Sequence, residues 1–380
     1  FQGVGRMIYL DNSATTRVLP EAARKAAEVM VEEYGNPSSL HTRGFRARQE
    51  LEASRETVAA RLGAKPEELY FTSGGTEGNN LALFGAALAK KRQGNRIVTT
   101  LAEHDSVLGT VGELEKQGFE VVRLRPDSEG HLSEEQLFDA VNEKTILVSM
   151  MLVNNETGAV FPVSAAARAI RRKKAPALLH TDAVQAFGKL EFSPAKLGAD
   201  LCTVSAHKVH GPKGVGALYV SKSARILPHT FGGGQEKGLR PGTESVPLIC
   251  AFGEAVRLLP KASEAGPEME RLNGLLRGKL RELPEVTVNS PEDGLPYILN
   301  FSAGRVRAET MLHFLAEQNI FVSSGSACGR AKPSHVLEAM GLPKERISSA
   351  LRVSFSRFSE EDDVLALAEA LKKGLRTLLH

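Results

Sequence analysis

Between residues 68 and 220, short apolar runs rich in β-branched residues alternate with stretches of helical character. The runs fall at 69–72, 96–100, 120–124, 146–150, 177–181, 201–204 and 216–220. Several are almost continuously apolar, as expected of strands covered on both faces, and the helical stretches between them imply mostly parallel pairing. The pattern predicts an α/β domain built on a seven-stranded, mostly parallel sheet.

Past a Gly-rich segment at 232–242, one long helical stretch is expected from about 245 to 282. Strand-like 297–302, helix-like 308–318, strand-like 351–355 and a final helix from about 360 read as a smaller α+β unit. The expected division is a large domain over 19–258 and a small domain made of 7–18 with 259–380. No internal repeat or low-complexity tract is present. The opening Phe1-Gln2-Gly3 looks like the remnant of a cleaved tag, with Met7 as the expected natural start, so 1–6 are left out of the fold.

Composition narrows the function classes. The chain has 380 residues, 42% hydrophobic and 24% charged, enough to bury a large core. Lys and Arg number 48 against 45 Asp and Glu, a net +3 spread along the chain rather than gathered in a stripe, which argues against nucleic acid as partner. No run approaches the roughly 18 apolar residues of a membrane span, and no secretory signal opens the chain, so the expectation is a cytoplasmic protein with no membrane contact. The three cysteines, Cys202, Cys250 and Cys328, are widely separated and lack metal-ligand spacing. Neither a disulfide framework nor a metal site is expected. Cys202 and Cys250 sit in apolar runs and read as buried small hydrophobes; Cys328, among Ser, Gly and Ala, does not.

In parallel sheets ligands gather beyond the carboxyl ends of the strands, so the residues just past each run carry the chemistry. The first run leads into Thr72-Ser73-Gly74-Gly75-Thr76-Glu77-Gly78-Asn79-Asn80 and a helix. Exposed amides at a helix start suit an anion such as phosphate, although a tight turn capped by Thr76 explains that segment equally well. The second leads to His104, with Asp105 or Ser106 expected to cap the next helix. Asn154-Asn155 follows the fourth run, Asp182 and Gln185 the fifth, and Ser205-Ala206-His207-Lys208 the sixth. Alone, each reads as a cap or a solvated turn. Five such strand ends in one sheet, one with a lysine amid polar residues, point to a shared pocket.

These residues resemble the pyridoxal-phosphate-dependent cysteine desulfurases, of the class-V aminotransferase-like group. The similarity runs from Tyr9-Leu10-Asp11-Asn12-Ser13-Ala14-Thr15-Thr16 through Tyr34-Gly35-Asn36-Pro37 to the last helix. Its markers are Ser205-Ala206-His207-Lys208, Gly232-Gly233-Gly234-Gln235-Glu236 with Arg240-Pro241-Gly242-Thr243, and Ser323-Ser324-Gly325-Ser326-Ala327-Cys328.

The resemblance implies the fold type I architecture of pyridoxal-phosphate transferases. It also implies that Lys208 holds pyridoxal 5'-phosphate covalently, Asp182 pairs with the ring nitrogen, Gln185 and Asn155 hold the ring, and His104 stacks on it and moves protons. Gly75, Thr76, Ser205 and His207 would hold the phosphate, joined by Thr243 from a neighbouring subunit, which implies a homodimer with shared active sites. Arg352 and Asn36 would bind the carboxylate of substrate L-cysteine. Cys328 would take the sulfur as a persulfide, releasing alanine and passing sulfur to an acceptor or scaffold protein of iron-sulfur or thio-cofactor assembly. Only Gly329-Arg330-Ala331-Lys332 separate Cys328 from Pro333, a shorter interval than the resemblance leads one to expect. Selenocysteine lysis or amino transfer on the same scaffold, and a scaffold that binds assembly proteins without catalysis, stand as alternatives.

Overall fold

The computed structural model describes residues 6–324 and 333–378. Its central sheet has seven strands: β1 (Leu69–Thr72), β2 (Arg96–Thr100), β3 (Glu120–Leu124), β4 (Thr145–Ser149), β5 (Leu178–Asp182), β6 (Leu201–Ser205) and β7 (Gly216–Val220). Their spatial order is β1-β7-β6-β5-β4-β2-β3. The pairs from β6 through β5, β4 and β2 to β3 are parallel, and β7 runs antiparallel to both β1 and β6. The apolar runs thus mark the strands to within a residue. The small offsets matter, because Asp182 and Ser205 are the last residues of β5 and β6 rather than the first beyond them.

Every residue of β4, β5, β6 and β7 is buried, as sequences that are apolar along their whole length require when helices cover both faces. One cover is the helix Gly75–Lys90, which inserts Leu81, Leu83, Ala86 and Ala87 against the sheet beside a second helix, Asp105–Lys116. The turn into the first of these helices is tight. Gly74 has φ +154° and ψ −175°, a region almost reserved for glycine. A Cβ on Gly216 would lie 2.9 Å from the Gly74 Cα, so two glycines let β7 pass close beneath this turn.

A second sheet of three antiparallel strands joins Val286–Val288, Ile298–Ala303 and Ala350–Ser354. The chain start returns to it. Ile8–Tyr9 pairs in parallel with Ile320–Phe321, Asp11 bridges to Ser354, and Ser323 bridges to Arg352.

The expected single helix over 245–282 is two helices, Val246–Arg257 and Ala262–Arg281. Pro260 lies in the break; it lacks an amide hydrogen and pushes Leu259 out of helical geometry. Two caps also differ from expectation. The helix after β1 is entered through Gly74 with Thr76 inside its first turn, and the helix after β2 is capped by the His104 side chain.

Between Gly234 and Leu239 the backbone is held in an unusual form, Glu236 and Lys237 having φ of +45° and +56°. Non-glycine residues adopt this region only under constraint. The constraint is a buried ion pair: Arg55 Nη1 and Nη2 donate to Glu236 at 2.9 and 2.7 Å, and Phe71 N donates to the same carboxylate at 2.8 Å. Replacing Arg55 with Ala strands a buried carboxylate and is expected to lower stability by about 3–5 kcal/mol in urea denaturation. The paired change Arg55→Met with Glu236→Gln should lose clearly less, since it removes both charges together.

Candidate active site

Lys208 stands in the short 3-10 turn Ala206–Lys208 directly after β6. Its Nζ donates to the carbonyl oxygens of Ser13 and Ala14, the latter at 2.8 Å. The chain start is laced onto this turn by further bonds. Thr16 N donates to His207 O at 2.9 Å, Thr16 Oγ1 donates to the same oxygen at 2.9 Å, and His210 N donates to Thr16 Oγ1 at 2.7 Å. Burial, reinforced by the charges of Arg352 and Lys189, pushes the Lys208 ammonium down to about 7, against the opposing pull of Asp11 and Asp182. At neutral pH this amine is a base and a nucleophile, which an ordinary lysine is not.

Asp182, at the end of β5, is buried and its carboxylate is held on both oxygens. Asn79 Nδ2 donates to Oδ2 at 2.7 Å and Val184 N donates to Oδ1 at 3.0 Å. Gln185 Nε2 donates to Ser13 O at 3.0 Å, the same carbonyl that receives Lys208, and Gln185 Oε1 accepts from Lys189 Nζ at 3.3 Å. Ser205, at the end of the neighbouring strand two residues past the Thr203 that pairs with Asp182, is 1% exposed and its Oγ has no hydrogen-bond partner among the described residues. A Cβ placed on Gly75 would lie 3.8 Å from the Ser205 Cβ and 3.0 Å from Val184 Cγ2, so the helix start that follows β1 abuts the ends of β5 and β6.

Arg352 comes from the second sheet and is 1% exposed. Its Nη2 donates to Asp11 Oδ1 and its Nη1 to Asn155 O, both at 2.9 Å. The guanidinium thus spans the chain start and the loop after β4. The Asn155 Oδ1 is buried without a partner among the described residues.

His104 accepts at Nδ1 from Ser106 N at 3.1 Å, and the same nitrogen lies 2.8 Å from Ser106 Oγ. Neighbouring Glu103 is wholly buried, and burial pushes its carboxyl up to about 8 while it accepts from Met151 N and Thr100 Oγ1. His207 contacts Thr15 Oγ1 at 3.2 Å, and burial, aided by the charge of Lys208, pushes it down to about 4.

The structure therefore brings Gly75, His104, Asn155, Asp182, Gln185, Ser205, His207, Lys208 and Arg352 around the ends of the central strands, with exposed Thr76 in the first turn of the helix that begins at Gly75. Asn36 and Thr243 are exposed, and no hydrogen bond among the described residues ties either to this group. Cys328 lies outside the described residues. Several members of the site carry no local signature in the sequence. Asp11, Ser13 and Asn79 contribute through partners distant in the chain, Asp11 lying 341 positions from Arg352.

The profile of the aminotransferase class-V family matches residues 8–367. A cysteine desulfurase IscS of Clostridium botulinum (strain Kyoto / Type A2) is 40% identical over 380 residues, covering 98% of this chain and 95% of the relative. Among solved structures, a NifS-like protein superposes with a TM-score of 0.92 at 38% identity, covering 98% of this chain and 100% of that one. A structure described as SspA in complex with cysteine has a TM-score of 0.81 at 33% identity, over 93% of this chain and 99% of that one. With the family profile spanning nearly the whole chain and relatives of this identity matched over 95% or more of their lengths, the chain belongs to the class-V aminotransferase family and, within it, to the cysteine desulfurases.

Proposed function

We propose that this chain is a pyridoxal-phosphate-dependent cysteine desulfurase that converts L-cysteine to L-alanine, takes the sulfur onto Cys328 as a persulfide, and delivers it to iron-sulfur or thio-cofactor assembly. The observation that carries the reading is a half-buried lysine of depressed proton affinity, set between a fixed carboxylate at the end of β5 and a buried arginine.

The residues fit the cofactor. Gly75 and the helix it opens offer backbone amides to a phosphate, and the Ser205 Oγ, without a partner among the described residues, lies on the same side. Asp182 suits a cationic ring nitrogen, and Asn155 Oδ1, without a partner among the described residues, is a second polar atom suited to it. Lys208 would hold the cofactor covalently, with Gln185, His104, Thr76 and His207 around it. Pyridoxal phosphate bound there supplies an electron sink for chemistry at the α- and β-carbons of an amino acid.

The remaining steps belong to the chain's own side chains. Arg352 takes the substrate carboxylate, for which its paired donors are suited, with Asn36 as a further contact. Lys208, whose neutral form is well populated near pH 7, accepts the α-proton, and His104 assists the transfer. The Cys328 thiolate attacks the substrate sulfur. The new S–S bond forms as the C–S bond breaks, the C–S electron pair stays on the β-carbon and takes up a proton there, and return of the α-proton from Lys208 completes alanine. Sulfur and electrons balance without an external oxidant.

In this reading residues 19–258 hold the cofactor, and 7–18 with 259–380 supply Arg352 and Cys328. The protein works as a homodimer in the cytoplasm. Support for the dimer comes from large apolar side chains left in solvent near Asn36 and Thr243 in the chain, Tyr34, Leu40 and Phe231 being 68%, 102% and 85% exposed. Large apolar side chains exposed to solvent favour a covering partner, and across such an interface Thr243 would reach a phosphate of the neighbouring subunit. The presence of cysteine in the solved SspA structure supports the substrate assignment.

Three outcomes test the reading. Cys328→Ala should abolish alanine and persulfide formation from cysteine while the cofactor's visible absorbance persists, and Lys208→Ala should lose that absorbance; full turnover by Cys328→Ala would sink the sulfur route. In Arg352→Lys, the loss of bidentate geometry should raise the KM for cysteine about tenfold or more, measured by alanine release from folded protein. In cofactor-free protein, acylation of Lys208 followed by peptide mass spectrometry should rise with pH through a midpoint near 7, because the neutral amine is the reactive form. A midpoint in the ordinary lysine range near ~10 would contradict that environment.

A further inference from the structure

We propose that Asn79 and Ser106, neither of which touches the reacting atoms, form a two-residue relay that joins Asp182 to His104 and sets His104 as a hydrogen-bond donor at Nε2. The proposal rests on the reading of Asp182 and His104 as ring partners and deepens it.

The relay is built from two helices that pack side by side. Asn79 lies in the second turn of Gly75–Lys90 and is 1% exposed; Ser106 lies in the first turn of Asp105–Lys116 and is 9% exposed. Asn79 Nδ2 donates both its hydrogens, to Asp182 Oδ2 at 2.7 Å and to Ser106 Oγ at 2.9 Å. Ser106 Oγ is 2.8 Å from His104 Nδ1. A continuous chain of bonds therefore runs from the carboxylate at the end of β5 to the imidazole after β2, across the ends of two strands that are not neighbours in the sheet.

Donor and acceptor chemistry fixes the direction of every link. Asp182, as a carboxylate, only accepts, so the Asn79 carboxamide must present its nitrogen there; the reverse orientation would set oxygen against oxygen. The choice leaves Asn79 Oδ1 buried and without a partner among the described residues. A side chain oriented by its own needs would satisfy that oxygen, so Asn79 is held by what it donates to. At Ser106, the incoming Asn79 hydrogen occupies a lone pair of Oγ, and the hydroxyl hydrogen is free to go on to His104 Nδ1. The backbone reaches the same conclusion separately. Ser106 N–H donates to Nδ1 at 3.1 Å, and a backbone amide has no other role. With two donors on Nδ1, the neutral ring carries its hydrogen on Nε2.

His104 therefore meets a bound substrate or cofactor as a donor from Nε2, in a ring whose orientation depends on Asp182 through Asn79 and Ser106. Removal of either relay residue leaves Asp182, His104, Lys208 and Arg352 in place and loosens only their relative setting.

The test has two arms. In cofactor-free protein labelled with 15N-histidine, with the His104 signals assigned by their loss in His104→Gln, the hydrogen should reside on Nε2; a ring protonated on Nδ1, or an even mixture of tautomers, overturns the proposal. In the holoenzyme, Ser106→Ala and Asn79→Ala should each lower kcat for alanine formation about three- to tenfold with KM for cysteine unchanged, as expected for one neutral hydrogen bond. The double variant should be no slower than Asn79→Ala alone, and Ser106→Thr should restore the rate by returning the hydroxyl. Multiplying effects in the double variant, or a Ser106→Ala enzyme with undiminished kcat but a lowered Tm, would show two structural residues and no relay. A holoenzyme that makes no alanine from cysteine would refute the proposed function instead, and the tautomer measurement would still decide the relay.

Discussion

Two peptide carbonyls, those of Ser13 and Ala14, receive the Lys208 ammonium, and much of the architecture serves to bring them there. Lys208 sits at the end of β6 in the central sheet, whereas Ser13 and Ala14 belong to a chain start that pairs with Ile320–Phe321 and Ser354. The segment from Asp11 to Thr16 therefore ties the two sheets together at one point. On the same short stretch Asp11 holds Arg352, Ser13 O also receives Gln185, and Thr16 fastens the turn that carries His207 and Lys208. The groups assigned to cofactor and to substrate thus share a common support of backbone carbonyls and one carboxylate.

That support also shapes the electrostatics. Burial alone disfavours the Lys208 ammonium, and Arg352 and Lys189 add two positive charges nearby, while Asp11 and Asp182 oppose them incompletely. Lys189 is itself pushed down to about 8, chiefly by burial, and is steadied by Gln185 and the face of Tyr297 at 5.9 Å. Cationic groups clustered in a poorly solvated place can remain only if some of them give up their protons readily. The lysine does so, because the arginine cannot.

Burial acts on the acids in the opposite direction. Glu103, enclosed beneath His104, is raised to about 8 and accepts from Met151 N and Thr100 Oγ1, so it binds the loop after β4 to the end of β2. His335 Nε2 lies 2.9 Å from the Glu103 carbonyl, and Ser334 donates to buried Glu156, so the chain just beyond Pro333 is pinned to the same loops. On the other side, Ser323 pairs with the backbone of Arg352. Both ends of the interval that contains Cys328 are thereby fixed to elements that carry the site.

The sequence by itself determined the seven strands, their mostly parallel character and the strand-end positions of His104, Asp182 and Lys208, because a strand buried on both faces must be apolar along its length and its polar residues collect where it ends. It also limited Cys202 and Cys250 to the core, where both are buried. Tertiary structure decided the rest. The break at Pro260 lies inside an otherwise helical pattern. The capping of a helix by His104 rather than by Asp105 or Ser106 depends on where the ring is drawn. Asp11 on Arg352, Asn79 between Asp182 and Ser106, and Ser13 under Lys208 are contacts between residues far apart in the chain. Hydrophobic periodicity records which face of an element is buried; it carries no information about which polar group meets which once two sheets and a returning chain start are brought together.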